Sequence, residues 1–176
     1  GPDAVVLREA TRRAGVSPNA AYRHFADRAE LVQAVSDAAQ GHAAAAIEAE
    51  LAALPPATDA ASATDRLRGV GFGYLRFARE EPGLFRAAFG VPSDLERAFS
   101  PEKAGPGGRT PFGLLAGVLD DLVRTGALPA DRRPGAELLA WSAVHGLAML
   151  VLEGPLRGLD AETARAAGRR VIEMAV

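Results

Sequence analysis

The chain contains no cysteine. Disulfides and thiol catalysis are excluded, and a reducing cytoplasm is compatible with that absence. Histidine is almost as scarce, at His24, His42 and His145, and no H-E-x-x-H pattern occurs. The carboxylate pairs Glu80-Glu81 and Asp120-Asp121 are adjacent in sequence and so face different directions on a helix. No Ser-His-Asp grouping follows from spacing, and GPGGRTP is a loop without a preceding strand. These absences argue against an enzyme, and neither a metal nor a cofactor is expected. Long apolar runs are missing too: none approaches the roughly 18 residues that span a bilayer. The start, GPDAVVLREA, lacks the basic leader and apolar stretch of a signal peptide. A cytoplasmic protein without membrane partners is expected. Lysine is reduced to Lys103 against 19 Arg, a codon bias to which no function attaches.

What is present supports a folded, helical protein. Apolar residues make up 48% of the 176, enough for a sizeable core, and 24% charged residues is not a disordered composition. The net charge of −2 is unevenly spread. Residues 1–28 hold Arg8, Arg12, Arg13, Arg23 and Arg28 against Asp3, Glu9 and Asp27, a net of +2, which leaves −4 for the rest. A basic head on an acidic body fits a nucleic-acid reader with a separate regulatory part, although an excess this small also arises by chance.

Helical periodicity runs through the chain, broken by Pro and Gly clusters, with no sustained strand alternation. Short helices are expected at 7–14, stopped by Gly15, and at 18–24. Asp27 and Glu30 form a D-x-x-E capping box that opens a long helix to about Leu54, Ala-rich in its second half. PPATDAAS interrupts at 55–62, and a helix follows at 63–80. Pro82 suits the first turn of the next, which ends at Gly90. Residues 91–110 read as a mobile loop with one helical turn. Helices then follow at 111–126, 134–154 and 160–175, with Gly126 and Gly158 at C-terminal ends and Asp160 as an N-cap. The fold class is all-α, with a head at 1–45 that includes the start of the linking helix, and a body at 46–176.

The stretch AGVSPNAAYRHFADRAEL, residues 14–31, carries the sharpest signal. Ala14-Gly15-Val16 between two short helices is a helix-turn-helix signature. Gly15 can take the left-handed conformation of a tight turn, Val16 can tuck between the helices, and Ser17 can cap the second. That second helix would enter the major groove, bringing Pro18, Asn19 and Ala20 to base edges and Tyr22 one turn later. Tyr22, His24 and Arg28 are spaced for phosphate oxygens, as are the backbone N–H groups at the start of the long helix. Arg8 can reach a base or phosphate, and Ser17 and Arg23 complete the candidate set. The alternative is a packed helical corner, with Phe25 and Leu31 in the core and Tyr22 and His24 merely exposed.

This stretch is similar to the DNA-binding core of the tetracycline-repressor (TetR) family, whose members read AGVS, a short spacer, Y-x-H-F, then a basic residue and a Leu. Gly15, Val16, Ser17, Tyr22, His24, Phe25, Arg28 and Leu31 match in order. The resemblance implies phosphate contacts from Tyr22, His24 and Arg28, and base contacts from Arg8, Pro18, Asn19 and Tyr22. Two positions depart: Val6 stands where the family has a capping Thr or Ser, and Thr11 replaces a usual Ala. The family also has an earlier helix, so roughly fifteen to twenty further residues, some three to four turns, are expected upstream.

In the body, YLRFAREEPGLFRAAF and WSAVHGLAMLVLEG resemble the regulatory domain of a TetR subgroup named for its Trp-His-Gly positions, matched by Trp141, His145 and Gly146. Helix 134–154 is apolar on both sides: Leu138, Trp141, Ser142, His145, Met149 and Leu152 on one, and Ala140, Val144, Leu147 and Val151 on the other. Burial on both sides places one against the protomer core and the other against a second subunit, or else the helix at the centre of a monomeric bundle. The last helix has the stripe Ala164, Gly168, Val171, Ile172 and Ala175, whose small residues permit close approach. The resemblance implies a homodimer through a four-helix bundle of these two helices, with the interface at Ala140, Val144, Leu147, Val151, Ala164, Gly168, Val171 and Ile172. Phe72, Leu75, Phe85, Phe89, Phe112, Leu115, Leu119, Trp141, His145 and Met149 are candidates to line a pocket for a small hydrophobic effector, though aromatic stripes at helical spacing are also ordinary core.

The reading is therefore a repressor that binds palindromic double-stranded operator DNA as a dimer and is released by its effector. A helical protein-interaction module without DNA binding, or a small helical enzyme, are the alternatives.

Overall fold

The structure is a computed structural model. It describes residues 6–92 and 94–174, without the side chains of Leu7 and Pro18. The expected upstream helix, Ala175 and any base contact by the Pro18 side chain lie outside the described residues.

Within them the secondary structure is entirely helical: α1 (Leu7–Ala14), α2 (Pro18–Ala21), α3 (Arg28–Ala52), α4 (Ala60–Glu80), α5 (Pro82–Phe89), α6 (Pro111–Arg124), α7 (Ala136–Leu152) and α8 (Ala161–Met174). Local chemistry sets most of the boundaries. The Asp27 side chain accepts from the Glu30 N–H at 2.9 Å, while the Glu30 carboxylate reaches back to the Ala26 N–H rather than to that of Asp27. Asp59 and Ser62 form a reciprocal capping box at the start of α4, which therefore begins at Ala60 rather than 63. Pro82 and Pro111 occupy first turns, and Thr110 caps α6 at 3.0 Å. Asp160 accepts from the N–H groups of Glu162 and Thr163, both at 2.9 Å. Gly126 takes a left-handed φ of 76° past α6, whereas Gly158 does not have one.

α3 is the spine. α4 packs along it, α5 and α6 close one side, and α7 and α8 pack against α4. The core runs between these helices through Ala43, Ile47, Leu67, Val70, Tyr74, Phe77, Phe85, Leu114, Val118, Leu122 and Val144. The Ala-rich half of α3 does more than favour a helix. Ala43 and Ala44 are fully buried, and their small side chains allow neighbouring backbone to approach. The approach is closest at Gly73 of α4, where an added Cβ would lie 2.6 Å from Ile47 Cα and 2.8 Å from the Ala46 carbonyl oxygen.

Residues 97–107 are tethered to α3, in contrast to the mobile loop expected at 91–110 from its Pro and Gly content. Two 3-10 turns form at Leu95–Phe99 and Pro101–Lys103. Arg97 pairs with Asp37 at 3.0 Å, Lys103 approaches the same carboxylate at 3.9 Å, and the Gly107 N–H bonds Glu48 at 3.1 Å. Lys103 is 2% exposed, so the lone lysine is a buried anchor. Composition carries no sign of ion pairs separated by some 60 residues.

The Gly73 crossing makes a stability prediction. Gly73→Ala should cost about 1–3 kcal/mol, because the added methyl meets backbone that cannot rotate away. Gly83→Ala, in the first turn of α5 with nothing within 4 Å of the new Cβ, should leave stability unchanged or raise it by about 0.5–1 kcal/mol. Urea unfolding midpoints of the two variants check both.

Candidate functional site

The head is built around the turn after α1. Gly15 has φ 69°; its N–H donates to the Arg12 carbonyl at 3.3 Å, and the Val16 N–H donates to the Thr11 carbonyl at 3.0 Å. This pair of bonds closes the helix and reverses the chain. Ser17 then caps α2, its Oγ accepting from the Ala20 N–H at 3.2 Å. Val6 makes no side-chain cap to α1. The Thr11 hydroxyl is turned inward and donates to the Arg8 carbonyl at 2.9 Å.

Two expectations for the head need correcting. α2 ends at Ala21, so Tyr22, Arg23 and His24 sit in the turn that follows, held by the Arg23 N–H to Ala20 and His24 N–H to Ala21 carbonyls. Val16 is not tucked away; it is 47% exposed, while Thr11 and Ala21 are the buried side chains among those described in α1 and α2. Phe25 and Leu31 are half-buried.

The candidate DNA-facing side chains are displayed to solvent. Arg8, Ser17, Asn19, Tyr22, Arg23, His24 and Arg28 are all exposed, and Ala20 is half-buried. The head's five arginines are not equivalent. Glu9 accepts from Arg12 at 2.7 Å and from Arg13 at 2.8 Å, and these guanidiniums hold its carboxyl down at about 2. Two of the charges counted in the sequence are thus directed onto a neighbour. Arg8 and Arg23 have no ion-pair partner among the described residues.

A cavity of about 430 Å³ lies in the body, beside α3. Its wall takes Gln40 and Ile47 from α3, Val70 and Tyr74 from α4, Phe89 from α5, Lys103 from the tethered segment, Phe112 from α6, and Trp141, Ser142, Val144 and His145 from α7. Of the residues expected to line a pocket, Phe89, Phe112, Trp141 and His145 come together here. The others do not. Phe85, Leu115 and Leu119 are sealed in the core, since their helices turn those faces toward α4. Met149 is exposed on the outer surface. Phe72 and Leu75 line a separate groove of about 220 Å³ between α4, α7 and α8, rimmed by Arg76, Arg79, Arg165 and Arg169.

Sequence reasoning missed Tyr74, the polar centre of the cavity wall. The Trp141 Nε1–H donates to Tyr74 Oη at 3.3 Å, and Tyr74 Oη lies 2.7 Å from His145 Nδ1. Phe85 stacks on the His145 ring at 5.6 Å, and Phe89 meets it edge-on at 5.3 Å. Burial pushes the Tyr74 phenol up and the His145 imidazolium down, so both groups are neutral at physiological pH. The available signal was the place of Tyr74 at the head of YLRFAREEPGLFRAAF, the segment that resembles the regulatory domain, one residue before the pocket candidate Leu75.

The surfaces of α7 and α8 also differ from expectation. Ala140, Val144, Leu147, Gly168 and Ile172, expected to meet a partner, are buried within the protomer, Val171 is half-buried, and Val151 and Ala164 line the smaller groove. The cause is α4: its Gly71 lets the Ile172 side chain approach, and Gly168 in turn accepts Leu75. The small residues of α8 are thus spent on packing inside one chain. The outward side of α7 is nevertheless apolar, with Leu138, Leu139, Met149 and Leu150 between 37% and 64% exposed, and Met174 of α8 is 76% exposed.

An exposed helix-turn-helix head joined by one long helix to a helical body with a cavity open to solvent defines a transcriptional regulator. Two family profiles match: bacterial regulatory proteins, tetR family, over residues 1–35, and tetracyclin repressor-like, C-terminal domain, over residues 67–175. The chain belongs to the TetR family of regulators and is not an enzyme. Two solved structures share its fold. A Rhodococcus sp. RHA1 protein of unknown function is 23% identical with a TM-score of 0.69, over 98% of this chain and 85% of that one. SCO4313, a protein assigned a regulatory role, is 22% identical with a TM-score of 0.54, over 98% of this chain and 87% of that one. No curated protein matches the chain. Among the described residues, no helix is long and apolar enough to cross a membrane.

The lowered His145 pKa predicts a pH dependence. The unfolded chain binds the proton more readily than the folded one, so the stability associated with the neutral ring is complete above about pH 6.5 and declines as pH falls below it. Melting temperature should drop between about pH 7 and about pH 5.5, and His145→Phe should flatten that drop in thermal scans.

Proposed function

We propose that this chain is a ligand-responsive repressor acting in the cytoplasm, which binds palindromic operator DNA as a homodimer and is released when a small hydrophobic effector fills the cavity. The observation that carries this reading is the course of α3. Arg28 begins the helix in the head, and Gln40 and Ile47, farther along the same helix, form part of the cavity wall. A rigid helix shared by two sites is a direct route for coupling them.

In the DNA-bound state α2 lies in the major groove, with Pro18, Asn19 and Ala20 at base edges. Tyr22, Arg23, His24 and Arg28 hold the phosphate backbone, and Arg8 reaches in from α1. Residues 1–45 form the head and 46–176 the body, with α3 belonging to both: Ser36 and Gln40 already bond the Ala88 carbonyl of α5, at 2.9 and 3.0 Å. The effector sits between Phe89, Phe112 and Trp141. The dimer forms through the outward side of α7, at Leu139, Ala143, Gly146 and Leu150, together with Ala167 and Met174 of α8. Gly146 has nothing within 4 Å of a built Cβ, which leaves room for a partner helix to approach. Two-fold symmetry then sets the recognition helices about 34 Å apart, one DNA turn.

Fluorescence anisotropy on a palindromic duplex selected from a random library tests the DNA reading. Tyr22→Ala and Arg28→Ala should each weaken binding by roughly tenfold, and Arg28→Ala, which removes a charge, should also lower the salt slope by about one while Tyr22→Ala leaves it unchanged. Unchanged affinity in both variants overturns it. Sedimentation tests the dimer: the chain should run as a dimer and the Leu139→Glu/Leu150→Glu variant as a monomer, whereas a variant that remains dimeric moves the interface elsewhere.

A further inference from the structure

The cavity wall contains a hydrogen-bond relay whose direction can be read from its members. The Trp141 Nε1–H can only donate, and it donates to Tyr74 Oη. The oxygen of Tyr74 is therefore an acceptor on that side, and among the described residues its single O–H is within hydrogen-bond distance of one acceptor, His145 Nδ1 at 2.7 Å. If Nδ1 carried the ring proton, it would donate to Tyr74 and leave a buried phenolic O–H without a partner, at the cost of an unmade hydrogen bond. Tyr74 is 4% exposed, so little solvent reaches it to offset that cost. The relay runs Trp141 to Tyr74 to His145, and the imidazole is left with its proton on Nε2.

That nitrogen has no partner among the described residues. Among those residues, only Arg66 Nε is both sealed from solvent and unbonded. The Nε2–H of His145 thus keeps an open approach, on a ring that lines the cavity. The ring itself cannot swing to find another partner, because Phe85 stacks on it at 5.6 Å and Phe89 and Trp141 flank it at 5.3 and 5.8 Å. The other charged groups of the wall do not favour an anion: Lys103 already faces Asp37, and Asp94 is itself acidic.

We propose that Tyr74 fixes His145 as a directional Nε2–H donor inside the cavity, so that the effector is a small aromatic molecule bearing a neutral hydrogen-bond acceptor, such as a ketone or ester carbonyl, rather than a hydrocarbon or a carboxylate. The proposal rests on the reading of this cavity as the effector site. His145 is the group that touches the ligand, and Tyr74 is a positioning residue that acts through it.

The chain has a single tryptophan, Trp141, and it lines the cavity, so its fluorescence reports occupancy directly. The probes are 2-acetonaphthone, 2-ethylnaphthalene and 2-naphthoate, which share one ring system. The ketone should bind roughly tenfold tighter than the hydrocarbon, the size of one net hydrogen bond, and tighter than the carboxylate. His145→Phe should abolish the preference for the ketone, and His145→Gln, which keeps a side-chain N–H, should retain part of it. Separately, 15N spectra of the ligand-free protein should show His145 with its proton on Nε2, and Tyr74→Phe should shift the ring toward a mixture of tautomers. Equal binding of ketone and hydrocarbon, tighter binding of the carboxylate, or a proton on Nδ1 in the parent protein overturns the proposal and leaves the effector cavity standing. Failure of all three probes to change Trp141 fluorescence instead overturns the effector reading, and the ligand class with it, even where the tautomer is as expected.

Discussion

The organisation of this molecule depends on one close contact, the crossing of α4 over α3 at Gly73. Helix axes usually stand 8–10 Å apart, kept there by side chains. Here a Cβ on α4 would fall 2.6 Å from the backbone of Ile47, so the approach exists only because the position has none. The next residue, Tyr74, is fixed by that contact, and its hydroxyl orders Trp141 and His145 across the cavity. On the other helix Ile47, the residue that touches Gly73, is itself part of the cavity wall. The crossing thus determines both the shape of the cavity and the position of α3, the helix that begins in the head.

In the proposed ligand-responsive repressor, this arrangement is the physical basis for switching. A ligand changes the balance between two states only through its differential affinity for them. The cavity is bounded by α3, α4, α5, α6, α7 and the tethered segment, so a ligand that fills it bears on one face of α3, at Gln40 and Ile47, and on the helices packed against α3. The buried Asp37–Lys103 contact and the Arg97–Asp37 pair attach that segment to α3 between the cavity and the head. The polar candidate DNA-facing side chains of the head, from Arg8 to Arg28, are exposed, and α3 carries them at its start.

The fold was legible in the sequence where local chemistry sets the boundary. Gly15, Asp27, Pro82 and Asp160 mark helix ends by capping and backbone geometry alone, and the structure has them there. The family is carried by a dense motif, AGVSPNAAYRHF, in which spacing and residue type reinforce each other. The cavity was only partly legible. Trp141 and His145 share a helix face and could be paired by periodicity, but Phe85 and Phe72 are equally aromatic and equally well spaced. What separates them is which helix stands opposite, and that is settled by contacts distant in sequence. The sides of α7 and α8 were misjudged for the same reason. Small residues such as Gly168 announce a close approach without saying to what, and here the neighbour is α4. Lys103 and Asp37 were invisible as a pair because no local pattern joins a loop lysine to a helix carboxylate.

In the proposed repressor, cavity and head are coupled through α3. The absence of cysteine allows a clean test, since Ala29→Cys places a single spin label on an exposed position at the start of α3. Electron–electron double resonance on the labelled dimer, with and without 2-acetonaphthone at a concentration that saturates Trp141 quenching, measures the separation of the two heads. Coupling predicts a distance distribution that moves when the cavity fills. Identical distributions with the cavity empty and occupied would contradict it.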